Sequence, residues 1–187
     1  SEFAREACNG LQSLNQTWAG TFEAQGYGDQ FRQPTLDLYG GGGVNTGCGS
    51  GTSAMGPFYC PADQTIYIDT SFYDTLERQL GAGGDFARYY VLAHEYGHHI
   101  QTITGISSQI RSAQQQNPSR ANQLQVLMEL QADCYAGVWA GKNGSRRRTS
   151  RMAPRSSAAM PCGWACRAMT APATGLPISA DRRARVR

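Results

Sequence analysis

Apolar residues recur with a helical period near the start of the chain, with an alternating period in the middle, and with a helical period again in two long runs. Leu11, Leu14, Trp18 and Phe22 lie three or four residues apart, which predicts an amphipathic helix over residues 5–24, ended by Gly26 and Gly28. Residues 34–39 read as a short strand, and the Gly-, Ser- and Thr-rich stretch 40–56 reads as loop throughout. Ile66 and Ile68 alternate with Thr65 and Tyr67 in a half-buried strand over residues 65–69. Ser71 is the expected N-cap of a short helix through Leu80, stopped by Gly81, Gly83 and Gly84. Asp85 precedes Phe86, Tyr89, Tyr90, Val91 and Ala93, so it caps a predicted helix reaching Thr104, with Gly105 as the stop. Asn117 and Pro118 open a second long helix over residues 119–140, carrying Leu124, Leu127, Met128, Leu130, Cys134 and Val138.

Long helices with a small sheet predict a single α+β domain over residues 1–140. Beyond Gly141 the periodicity stops, and the composition turns to clustered Arg with scattered Ala, Ser, Pro and Gly. Such a segment has no apolar face to bury, so residues 141–187 are expected to be an unstructured basic tail. The charge divides at the same place. Residues 1–140 hold six Arg, no Lys and thirteen Asp plus Glu, a net −7, whereas residues 141–187 hold ten Arg, one Lys and only Asp181, a net +10. The overall +3 therefore describes neither part, and the folded part has no basic face for a nucleic-acid backbone. The tail's bias also matches what a shifted reading frame in a GC-rich gene would produce. No apolar run approaches the roughly 18–20 residues that cross a bilayer. The chain opens at Ser1 with neither Met nor an apolar leader, and reads as a fragment or processed form.

The chemistry concentrates in one place. The chain's three histidines are His94, His98 and His99, and the first two frame the sequence His94-Glu95-Tyr96-Gly97-His98. An H-E-x-x-H match arises by composition alone in roughly two of a thousand such chains, and this one falls inside a predicted helix. A spacing of four puts His94 and His98 on one helix face, one turn apart, where both imidazoles can reach a single ion. Glu95 stands beside them, placed to take a proton from water as the general base of a hydrolytic zinc site. Catalytic zinc takes three protein ligands and leaves a position open. His99 points about 100° away from His98, by the helical period, and cannot share their site. Downstream of Glu95 the acidic residues are Glu129, Asp133 and Asp181, the last in the tail. Glu129 and Asp133 are four apart on the second long helix and interrupt its apolar face, where a carboxylate costs several kcal/mol unless a cation compensates it. Glu129 is therefore the expected third ligand, with Asp133 accepting a hydrogen bond from the free ring nitrogen of His94 or His98. Cys134 is a poorer ligand candidate, and Cys162 with Cys166 lacks the second half of a structural zinc knuckle.

With these residues in view, the chain resembles the neutral zinc metallopeptidases, a family of membrane-anchored bacterial proteins. The resemblance covers about residues 8–140 and rests on Gly56–Asp63 (GPFYCPAD), Thr65–Phe72 (TIYIDTSF), Gly84–Gln101 (GDFARYYVLAHEYGHHIQ) and Glu129–Ala140 (ELQADCYAGVWA). It implies a zincin-like metallopeptidase domain, one Zn²⁺ per chain on His94, His98 and Glu129, Glu95 as the catalytic glutamate, and a peptide or protein substrate. The family's amino-terminal membrane anchor and a further helical segment after Ala140 are not recognised in this sequence, so a membrane would be engaged only through an anchor that this chain lacks.

Cys48 and Cys60 flank a short Gly- and Ser-rich loop, where a disulfide would contribute roughly 2–3 kcal/mol by the chain-entropy argument. That bridge, with the membrane-anchored relatives, points to an extracytoplasmic location, the parent protein being anchored or secreted. Cys134 is expected to be a small buried side chain. Two other readings compete with a zinc peptidase. One is a catalytically incomplete zinc-binding fragment or pseudoenzyme. The other is a basic-tail binder of nucleic acid or anionic lipid through Arg146–Arg148 and Arg182–Arg187.

Overall fold

The computed structural model describes residues 2–72, Arg78 and residues 84–144. In chain order the elements are α1 (Glu2–Ala24), β1 (Thr35–Tyr39), β2 (Val44–Thr46), β3 (Gly49–Gly51), β4 (Phe58–Cys60), β5 (Thr65–Asp69), α2 (Gly84–Ile103), α3 (Ile106–Gln116) and α4 (Ala121–Gly144). The described part is mostly helical with a small sheet, an α+β arrangement. The Arg-rich tail from residue 145 onward and most of the helix expected over 71–80 lie outside the described residues.

Strand β5 is the centre of a three-stranded sheet, with β1 parallel on one side and β4 antiparallel on the other. Its central place corrects the expectation of a half-buried strand, because all five residues are buried. Tyr67 joins Tyr39 and Cys60 in a cluster against which Val44 and Phe58 pack, and its ring stacks on Phe58 at 5.1 Å. Residues 40–56 are not loop throughout. Val44–Thr46 and Gly49–Gly51 form a small antiparallel hairpin, closed where the Asp63 carboxylate accepts the Gly47 N–H at 2.7 Å. The Cys48–Cys60 disulfide ties this hairpin to the end of β4.

Helix α1 begins earlier than predicted but buries the expected face, with Leu14, Trp18 and Phe22 all under 10% exposed. Trp18 meets Tyr135 of α4 edge-on at 5.2 Å, and the Trp139 indole N–H donates to Ser13 Oγ. Gly105, in a left-handed conformation (φ 78°), ends α2 and turns the chain directly into α3, an element the polar sequence 106–116 did not signal. Two expected caps are corrected. Asn117 makes no capping hydrogen bond through its side chain, and Pro118 opens a single 3-10 turn before α4. Residues 70–72 are helical, but the Ser71 N–H donates to the Asp69 carboxylate at 2.8 Å, so Asp69 and not Ser71 supplies the cap.

Helices α2 and α4 come into very close contact. A Cβ placed on Gly97 would lie 2.8 Å from both Cα and the carbonyl oxygen of Ala132, so only glycine permits this approach. Ala132 follows Glu129 by three residues and precedes Asp133, which sets these carboxylates opposite the H-E-x-x-H face.

Candidate metal centre

Helix α2 presents His94, Glu95 and His98, and α4 presents Glu129 and Asp133. The Nε2 atoms of both histidines lie 3.3 Å from Glu129 Oε2, and the three donor atoms fall within 4.8 Å of one another. The His94 Nδ1–H donates to Asp133 Oδ1 at 2.8 Å, and the His98 Nδ1–H donates to Gln101 Oε1 at 2.8 Å. In neutral imidazoles those bonds leave both Nε2 atoms without a proton. Two nitrogen lone pairs and a carboxylate oxygen then converge on one point with no hydrogen to share, an arrangement that a cation relieves. Ligands about 2.1 Å from one ion at the tetrahedral angle sit roughly 3.4 Å apart, close to the observed 3.3 Å. The donor set therefore fits zinc, and a group of these three residues is the only such cluster found among the described residues.

The surrounding hydrogen bonds hold this geometry. Asp133 Oδ1 also accepts the Tyr90 hydroxyl at 2.7 Å. Gln101 is fully buried, and its amide N–H groups donate to the Met128 carbonyl and to Gln131 Oε1, both at 2.7 Å, so the group that orients His98 is itself anchored on α4. Gln125 donates to Glu129 Oε1 at 2.7 Å. Sequence reasoning missed Gln101, Tyr90 and Gln125. Their one signal is spacing: Gln101 follows His98 by three residues, Tyr90 precedes His94 by four, and Gln125 precedes Glu129 by four.

Glu95 is buried at 8% exposure beside the ligands. Burial, then the negative charge of Glu129, pushes its pKa up to about 8, opposed by a hydrogen bond from the backbone N–H of Tyr59. Tyr59 belongs to β4, an edge strand of the sheet, and its position is fixed through His99. As expected, His99 points away from the ligand face. It is fully buried, donates from Nε2 to the Arg32 carbonyl at 2.7 Å, and accepts the Tyr59 hydroxyl at Nδ1, 3.0 Å away. Burial holds the His99 pKa below its ordinary value and pushes that of Tyr59 up to about 12, so both stay neutral in this pairing.

His94, Glu95, His98, Glu129 and Tyr59 line a cleft of about 340 Å³. Its lining also includes Phe58 of β4 and Ser107 and Arg111 of α3. A larger depression of about 480 Å³ lies beside Glu23 and Asp29, away from every histidine. Cys134 is buried and stands outside the ligand cluster. No helix among the described residues is long and apolar enough to cross a membrane. The Cys48–Cys60 disulfide fits an oxidising compartment.

The chain is 53% identical over 130 residues to "Uncharacterized protein YpfJ" of Escherichia coli strain K12, covering 69% of this chain and 44% of that protein. It is 50% identical over 111 residues to "Uncharacterized protein Rv2575" of Mycobacterium tuberculosis strain H37Rv, covering 59% of this chain and 36% of the relative. The chain thus spans less than half the length of these relatives. No solved structure matches it. The profile of the family described as "Putative neutral zinc metallopeptidase" matches residues 2–156, the stretch that carries every residue of the metal centre, and the chain belongs to that family.

Proposed function

We propose that the protein hydrolyses peptide bonds at a zinc ion held by His94, His98 and Glu129 in a zincin-type domain. The observation that carries this reading is the convergence of two imidazole Nε2 atoms and a carboxylate oxygen in a cleft that also contains the buried carboxyl of Glu95. When bound, zinc supplies a Lewis acid that makes water acidic near pH 7 and polarises a peptide carbonyl. Asp133 and Gln101 keep the Nδ1 protons of the two histidines, so their Nε2 lone pairs face inward. Glu95 takes the proton of the attacking water and returns it to the leaving amine. Burial holds Glu95 above the usual carboxylate range in the metal-free site, and a bound divalent cation would draw it back toward the ionised form that accepts the proton. The Tyr59 N–H fixes the direction in which that carboxyl points. The disulfide supports an extracytoplasmic setting for this chemistry.

The test is cleavage of an unstructured, internally quenched peptide by the zinc-loaded chain and by Glu95→Gln, with zinc measured in both. Glu95→Gln should keep about one zinc and lose about 10²- to 10⁴-fold in rate, because an amide cannot accept the proton. Undiminished cleavage in the variant would contradict the role of Glu95. Zinc-loaded wild-type chain that cleaves nothing would favour a zinc-binding protein without peptidase activity.

A further inference from the structure

Charge is distributed unevenly around the cleft. Its acidic side chains are Glu95 and Glu129, both committed to the metal chemistry, and with a divalent cation present their charges balance. Arg111 is the one basic residue of the lining. It stands on α3, exposed, one helical turn after Ser107, which also lines the cleft. No carboxylate or carbonyl engages it among the described residues. Every other basic residue of the described part stands outside this cleft, and residues 1–140 as a whole carry −7. An anionic group entering the cleft thus meets one guanidinium that has no partner among the described residues.

We propose that Arg111 determines specificity, selecting peptides that present a carboxylate on the α3 side of the scissile bond. The carboxylate can come from an Asp or Glu side chain or from a free C-terminus, since the guanidinium fork pairs with either in the same bidentate way. This inference rests on the peptidase reading and names the substrate class within it. An Arg–carboxylate pair made by this exposed guanidinium favours the acidic peptide by about 2- to 5-fold over a neutral one, less at high salt.

The experiment uses zinc-loaded Glu95→Gln chain, which binds without turnover, and fluorescent peptides read by anisotropy. One peptide is neutral and C-terminally amidated. The others differ from it by one Glu, by one Lys, or by a free C-terminal carboxylate. The expected result is tighter binding of the Glu or free-acid peptide, with the two arms distinguishing the carboxylate's source. Adding Arg111→Gln should abolish the preference, acidic and neutral peptides then binding alike, while zinc content stays at about one per chain. Arg111→Glu should turn the preference toward Lys, and Arg111→Lys should keep part of it. Equal binding of acidic and neutral peptides, or a preference that survives Arg111→Gln, overturns the inference, as does binding of no peptide at all. Wild-type chain that binds acidic peptides through Arg111 yet cleaves none refutes hydrolysis and leaves the recognition role standing.

Discussion

Replacing Gly97 by Ala adds one methyl group to the seam that carries the metal centre. That methyl would lie 2.8 Å from Ala132 Cα, 2.8 Å from its carbonyl oxygen and 3.1 Å from its Cβ. Optimal carbon contacts are about 3.5–4.0 Å, so α2 and α4 must separate by roughly 0.7 Å or distort. Two of the three close atoms are backbone and cannot swing aside, which places the overpacking cost in the upper part of the usual range, about 2–3 kcal/mol. Ala is the better helix former by about 1 kcal/mol, which offsets part of this. The net loss is about 1–2 kcal/mol, or roughly 3–6 °C in Tm for a chain of this size. The functional effect is larger. His94 and His98 ride on one helix and Glu129 on the other, and a displacement of several tenths of an ångström exceeds the roughly 0.2 Å tolerance of metal–ligand distances. Gly137 on α4 is the control, since a Cβ there meets nothing within 4 Å. Thermal melts of the metal-free proteins and zinc competition with a chelator should show Gly97→Ala less stable and weaker for zinc, and Gly137→Ala more stable by up to about 1 kcal/mol with zinc affinity intact. Equal behaviour of the two variants would refute the close-contact argument.

Metal-free protein should lose stability as pH rises from about 5 to 8, because Glu95 titrates near 4.5 when unfolded and at about 8 when folded. The unfolded chain sheds that proton first, so the native state's advantage is complete below the unfolded value and disappears as pH passes the folded one, a change on the order of several kcal/mol. Urea melts in EDTA should show this slope for wild type and its loss in Glu95→Gln, and an equal slope in both would count against it. Asp133→Asn and Gln101→Leu should each weaken zinc by about 10- to 100-fold, since each removes the group that fixes a ligand imidazole; unchanged chelator competition would place the orienting role elsewhere.

Helices α1, α2 and α4 and the convergence of His94, His98 and Glu129 were legible because each leaves a local mark. The spacing of His94 and His98 works only on a helix, and Glu129 is conspicuous as a carboxylate on an apolar stretch. The third helix was not legible: residues 106–116 are largely Ser, Gln and Arg, and Ile106 and Ile110 alone do not make a stripe. The hairpin at 44–51 hid in a glycine-rich run, where the register comes from Asp63 and from the disulfide and not from side-chain alternation. Gln101 could not have been identified from the sequence, since a glutamine on a helix looks solvated until α4 supplies Met128 and Gln131 as its partners. Arg111 likewise acquires meaning only once α3 is seen to border the cleft.

The claim beneath all of this is that His94, His98 and Glu129 hold one zinc ion together. Metal analysis of purified protein after dialysis against a weak chelator tests it most directly, in wild type, His94→Ala, His98→Ala and Glu129→Gln. About one zinc per wild-type chain is expected, with the ion lost in either histidine variant and retained only weakly in Glu129→Gln. Stoichiometric zinc in His94→Ala or His98→Ala, or none in the folded wild-type protein supplied with zinc, would contradict it.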